Sequence, residues 1–234
     1  MDGLLTAAEW QALALSFRVA TFAVVIGLPF AFFAALLLAR AEFRGKVLVD
    51  GIVHLPLVLP PVAIGYLLLV TFGTRAPIGA FLFENFGIRF VFSWTGAVLA
   101  TVILTFPFQV RAIRLALEAE EPGLKEAAET LGAGRWDRLW SLHLPLATPG
   151  ILAGAVTAFA ASLGEFGAII TFVSNIPGET RTLPNAIYTF TQVPGGEREA
   201  LRLCLIAVAL SMAALLASEI MARFLGRRTQ PDVG

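Results

Sequence analysis

Long uncharged runs alternate with short polar segments along the whole chain. The first run extends from Val19 to Ala39, and the second, Ile52 to Phe72, is interrupted by His54 and Thr71. Trp94 to Val110 carries no charge, Gly150 to Val173 carries only Glu165, and Leu203 to Ser218 extends across Glu219 to Leu225 if its terminal charges snorkel to an interface. A hydrocarbon core of about 30 Å needs roughly 20 helical residues, because a backbone in lipid must satisfy its own hydrogen bonds. The pattern predicts an all-α integral membrane protein: one transmembrane domain over 1–234, with spans near 13–39, 52–72, 94–114, 150–173 and 202–225.

Composition agrees. Of 234 residues, 57% are hydrophobic and 15% charged, more apolar side chain than a soluble core of this size uses. The 17 basic and 17 acidic residues cancel, so the total charge points to no nucleic-acid partner. Cys204 alone forms no intrachain disulfide, and His54 and His143, far apart in sequence, make no zinc pattern, so no metal site is expected. With Asp2 and no basic leader, the first run is expected to stay as an uncleaved anchor. Thr6 and Glu9 have capping-box spacing, with Leu5 and Trp10 placed as a staple, so a helix is expected to start near Thr6; a frayed tail is the alternative.

Five crossings put the termini on opposite faces, and the basic residues choose which face is cytoplasmic. Arg40, Arg44, Lys46, Arg111, Arg114, Lys125, Arg135, Arg138, Arg223, Arg227 and Arg228 fall on one side; Arg18, Arg75, Arg89, Arg181, Arg198 and Arg202 fall on the other. The richer side is expected to be cytoplasmic, with the N-terminus outside and the C-terminus inside.

Pro56, Pro60 and Pro61 remove backbone donors inside the second run and predict a kinked or broken helix. Such a break suits a helix facing the bundle interior or a water-filled path; a plain kink without function fits the same residues. The segment 118–148 reads as two short helices. Pro122 suits a first turn, Leu124, Ala127, Ala128 and Leu131 form one stripe, and Gly132 provides a stop. Trp136, Leu139 and Trp140 then recur at helical spacing, and Pro145 is expected to end the second element. Patterning alone fits either an amphipathic hairpin on the membrane surface or a helix entering a partner's groove, with Glu126 and Glu129 at its rim.

The order Glu126-Ala127-Ala128, Gly132, then Leu142-His143-Leu144-Pro145 resembles the EAA loop of binding-protein-dependent ABC importer permeases, with Leu142 where isoleucine is usual. The likeness covers nearly the whole chain. The stretches from His54 to Pro61, Ser162 to Gly167 and Ser174 to Thr182 look like the molybdate permeases of that family, and sulfate permeases share part of them. The resemblance implies the type I ABC importer permease fold, with Glu126, Ala127, Ala128, Gly132, Leu142, Leu144 and Pro145 docking on the ATPase. It also implies a homodimer in the bacterial inner membrane, two cytoplasmic ATPase subunits that bind the ATP and Mg, and a periplasmic molybdate-binding protein. The external residues Asn175, Pro177, Gly178, Glu179 and Arg181 are the candidate surface for that binding protein; an ordinary loop is the alternative.

Glu165 is a charge deep in an apolar run, costing roughly 2.5 to 3.5 kcal/mol on insertion scales. At about 6 Å and an effective dielectric of 20 it would repel a dianion by on the order of 5 kcal/mol. Its expected role, with Gly164, Gly167, Pro56, Pro60 and Pro61, is therefore packing or gating, not ligation. No Lys or Arg lies in the middle of a run, so selection is expected outside the membrane path. No phosphate-binding G-x-x-x-x-G-K-[ST] motif is present, which places ATP hydrolysis on another chain. An ion-coupled transporter would call for more intramembrane acids, and an intramembrane enzyme for a clustered nucleophile and base.

Overall fold

The first helix, α1 (Ala7–Arg40), starts at the expected capping box: Thr6 Oγ1 accepts from the Glu9 N–H, and the Glu9 carboxylate accepts from the Thr6 N–H at 2.6 Å. The structure, a computed structural model, describes residues 5–119, 123 and 130–226, and all regular structure among them is helical. After α1 come α2 (Lys46–His54), a 3-10 turn (Leu55–Leu57), α3 (Pro61–Phe72), α4 (Pro77–Phe86) and α5 (Trp94–Glu118). The second half comprises α6 (Arg135–Arg138), a π turn (Leu139–His143), α7 (Leu144–Leu163), α8 (Gly167–Val173), α9 (Leu183–Thr191) and α10 (Glu197–Gly226).

Helices α1 and α5 run side by side in the same direction. Phe22, midway along α1, packs edge-on to Trp94 at the start of α5, with centroids 5.4 Å apart, and where both helices end Arg40 Nη2 donates to the Leu117 carbonyl at 2.8 Å. Helix α7 runs opposite to α5: Gly150 lies against Ala112 and Ile113, and Gly154 against Gln109. At the crossing of α1, α5 and α7 the Gln109 side chain is fully buried, with Nε2 donating to the Val24 carbonyl at 3.4 Å. Helix α10 follows α1, since Arg202 meets Glu9 at one end and Leu210 to Ala217 share a groove with Phe17 to Val25 further along.

Three apolar clusters fill the bundle. One joins Ile64 and Leu68 of α3 to Leu104 of α5 and to Ile169 and Phe172 of α8. A second, around Leu38, Val110, Ile113 and Ala147, lies at the end where α1 and α5 finish, here termed the basic end. A third joins Ala12 and Leu13 to Leu183, Ala186 and Leu203 at the opposite end.

Four helical stretches among the described residues are long and apolar enough to cross a membrane: 7–40, 94–118, 136–163 and 197–217. A fifth passes the same test only as the bent pair Lys46–Leu57 and Pro61–Phe72.

Two sequence expectations need correction. The run 150–173 is not one helix, since α7 ends at Leu163 and α8 begins at Gly167. Pro145 does not end an element. The π turn passes the Leu144 N–H back to the Leu139 carbonyl, and Pro145, lacking an N–H, sits in the first turn of α7, where none is needed. Pro122, Leu124, Glu126, Ala127, Ala128 and Glu129, on which the first of the two expected short helices rests, lie outside the described residues.

Candidate functional site

Two helices break inside the bundle, and the breaks meet. The prolines act as expected: Pro56 lies in the 3-10 turn, Pro60 precedes α3, and Pro61 is its first residue, with the axis turning by 108° between the two parts. Across from it, Gly164 to Phe166 separate α7 from α8. A Cβ on Gly167 would lie 3.0 Å from Pro61 Cβ, and one on Gly65 would lie 2.7 Å from the Ala168 carbonyl oxygen. Small residues thus let the two half-helices touch backbone to backbone.

Glu165 sits at this second break, half-buried. Its Oε1 accepts from the Ala168 N–H at 2.9 Å, so the carboxylate caps the start of α8. That contact places Glu165 with Gly164, Gly167, Pro60 and Pro61 around one junction. This cap was not among the sequence expectations for Glu165.

At the basic end, within the described part of the segment 118–148, Gly132 has a φ of 81°, the left-handed conformation of a helix stop. Asp137 Oδ2 then accepts from the Gly134 N–H at 3.2 Å, starting the second element. Trp136 and Trp140 are 75% and 65% exposed, and Leu131 is 87% exposed. Leu142 and Leu144 are half-buried, and Pro145 points outward. Trp136, Leu139 and His143 also line a cleft of about 520 Å³ against Phe33, Leu36 and Arg40 of α1.

Beside this segment lies an ionic cluster that sequence reading missed. Arg114 Nε donates to Glu118 Oε1 at 2.7 Å, and its Nη1 donates to Asp50 Oδ1 at 3.0 Å. His54 Nδ1 lies 3.1 Å from the same Asp50 oxygen. The i,i+4 spacings Asp50–His54 and Arg114–Glu118 were visible, but nothing in the sequence joined the two pairs.

At the opposite end, the turn after α8 is held by its own side chains. Arg181 Nε donates to Asn175 Oδ1 at 3.0 Å, Asn175 Nδ2 donates to Thr189 Oγ1 at 2.7 Å, and Glu179 Oε1 accepts from the Trp94 N–H at 3.4 Å. Asn175, Glu179 and Arg181 therefore brace the turn, while Ile176, Pro177 and Gly178 form its exposed tip.

Over residues 27–231 the chain matches the family described as the binding-protein-dependent transport system inner membrane component. It is 60% identical over 220 residues to the molybdenum transport system permease protein ModB of Escherichia coli (strain K12), covering 94% of this chain and 96% of that one. The protein of the same name from Haemophilus influenzae is 53% identical over 226 residues, 97% of each chain. A probable sulfate transport system permease protein of Chlorokybus atmophyticus is 36% identical over 169 residues, 72% of this chain and 59% of its own. Among solved structures, a chain of a bacterial alginate ABC transporter, crystallised with an alginate pentasaccharide-bound periplasmic protein, superposes with a TM-score of 0.72 at 19% identity. That match covers 97% of this chain and 82% of the other, and it shows a shared fold. By sequence match over most of its length, the chain belongs to the family of inner membrane components of binding-protein-dependent transport systems.

Proposed function

We propose that this chain is the transmembrane permease subunit of an ATP-driven ABC importer that carries molybdate, with tungstate as a close analogue, across the bacterial inner membrane. The observation that carries the substrate is the 60% identity, over nearly the full length of both chains, to a relative named as a molybdenum permease. The relative named as a sulfate permease is more distant and matched over a shorter stretch.

The proposed topology has five crossings, with the second made by α2 and α3 together and the fourth by α7 and α8. The parallel course of α1 and α5 supports it, because the chain must return between them. The excess of basic residues where α1 and α5 end makes that face cytoplasmic, leaving the N-terminus outside and the C-terminus inside. There the segment 118–148, with Glu126, Ala127, Ala128, Gly132, Leu142, Leu144 and Pro145, docks on one of two ATPase subunits, which bind ATP and Mg. Exposed Leu131, Trp136 and Trp140 are the kind of aromatic and aliphatic anchors such an interface buries.

Two copies of the chain enclose the path, and the junction of Pro56, Pro60, Pro61, Gly164, Glu165 and Gly167 gates it. A periplasmic molybdate-binding protein docks at the turn bearing Asn175, Pro177, Gly178, Glu179 and Arg181. The test is labelled molybdate uptake into vesicles holding this chain, the ATPase and the binding protein. ATP-dependent uptake that unlabelled molybdate and tungstate compete strongly and sulfate weakly is expected; equal competition by all three would reject the molybdate preference.

A further inference from the structure

We infer that the Asp50–Arg114 ion pair is the positioning contact that carries movement of the ATPase-docking segment to the broken span α2–α3; this rests on the importer reading above. Arg114 is one turn before Glu118, where α5 ends and the docking segment begins, and the Arg114 guanidinium bridges Glu118 and Asp50. Asp50 is one turn before His54, and the 3-10 turn and the 108° bend follow directly. The contact joins residues 64 apart in sequence and lies between the end of one helix and the approach to the break in another.

The anchoring of the two halves of that span is unequal. Helix α3 is fixed on α8 by backbone-close packing at Gly65 and by buried Ile64 and Leu68. Helix α2 has no fully buried residue, and Val49 and Val53 only partly pack against the basic-end cluster. A half-helix held so lightly follows whichever strong directional contact it has, and Arg114 supplies one. Beside the pair is a polar cleft of about 250 Å³, bordered by His54, Arg111 and Leu115, with room for the side chains to shift without repacking the core. An apolar contact of similar area would hold α2 in place but would not fix its direction of pull, whereas a short charge-assisted hydrogen bond fixes both.

The test is the number of molybdate ions imported per ATP hydrolysed by the reconstituted complex of this chain, its ATPase and its binding protein. Arg114→Gln and Asp50→Asn are each expected to lower that ratio about threefold while the ATPase still co-purifies, the size fitting a pair whose side chains are 27% and 37% exposed. The double variant should be no lower than the lower single, because the ionic contact between Asp50 and Arg114 is already lost in either one. Arg114→Lys, which keeps the charge and reaches one carboxylate, should fall between, and it carries the test if the glutamine variant fails to assemble. A ratio unchanged in the single variants and in Arg114→Lys, or import and hydrolysis falling together in proportion, would overturn the inference alone. Absence of ATP-driven import by the wild-type complex would overturn the importer reading, and the inference with it.

Discussion

Glu9 in the first turn of α1 and Arg202 in α10 form a two-point ion pair: Arg202 Nε donates to Oε1 at 2.8 Å and Nη2 to Oε2 at 2.9 Å, across 193 residues of sequence. Glu9 is fully buried and also caps its own helix, so one carboxylate fixes the start of the chain and ties it to the last helix. Nearby, Ser16 Oγ accepts from the Leu183 N–H at 2.6 Å, adding α9 to the same clasp.

Removing the guanidinium should therefore loosen this end of the bundle. Breaking a fully buried pair costs about 3–5 kcal/mol, but the Arg202 side chain is 39% exposed and water can reach the vacated carboxylate. We expect Arg202→Ala to cost about 1–2 kcal/mol, with Arg202→Lys losing about half of that. Thermal unfolding of the purified chain in detergent checks the order wild type, lysine, alanine; equal melting temperatures would mean the clasp contributes nothing.

The close approach of α3 and α8 makes Gly65 intolerant of a side chain. A Cβ there would lie 2.7 Å from a backbone oxygen and 2.9 Å from Thr171 Cβ, neither of which can swing aside. Gly65→Val should cost at least about 1–3 kcal/mol through forced backbone movement and should suppress import. Gly51 in α2 is the control, since a Cβ there meets nothing within 4 Å. Gly51→Ala should be neutral or stabilise by about 0.5–1 kcal/mol through helix propensity. Uptake and melting measurements on both variants read the contrast, and a tolerated Gly65→Val would contradict it.

The cap at Glu165 separates charge from hydrogen bonding. Glu165→Gln keeps an acceptor for the Ala168 N–H, so import should stay within about twofold of wild type. Glu165→Ala leaves the start of α8 uncapped at a cost of about 1 kcal/mol and should lower import further. Rates measured side by side test this. Loss of import in the glutamine variant at normal expression would show that the negative charge itself is required.

What the sequence disclosed follows from the range over which each feature acts. The capping box at Thr6 and Glu9 was legible because both halves lie within one turn, and the first break because three prolines announce it. The break at Gly164–Phe166 carries no proline, and its apolar residues count as one uninterrupted run; Gly164 and Gly167 on either side of Glu165 were the only local signal. Pro145 misled because a π turn can carry a helix past it. Asp50, Arg114 and Arg202 each resemble an ordinary solvated flank in sequence, and only the fold brings their partners within reach. Gln109, buried at the crossing of three helices, was counted merely as an uncharged residue of its run.

The proposed topology depends on which side of the membrane presents Trp136. With the exposed Cys204 replaced by serine, single cysteines at Trp136 and Pro177 can be probed with a membrane-impermeant thiol reagent. Pro177→Cys should be labelled in spheroplasts, and Trp136→Cys only after the membrane is opened, with protection when the ATPase is bound. Labelling of Trp136→Cys in sealed spheroplasts would contradict the proposed topology.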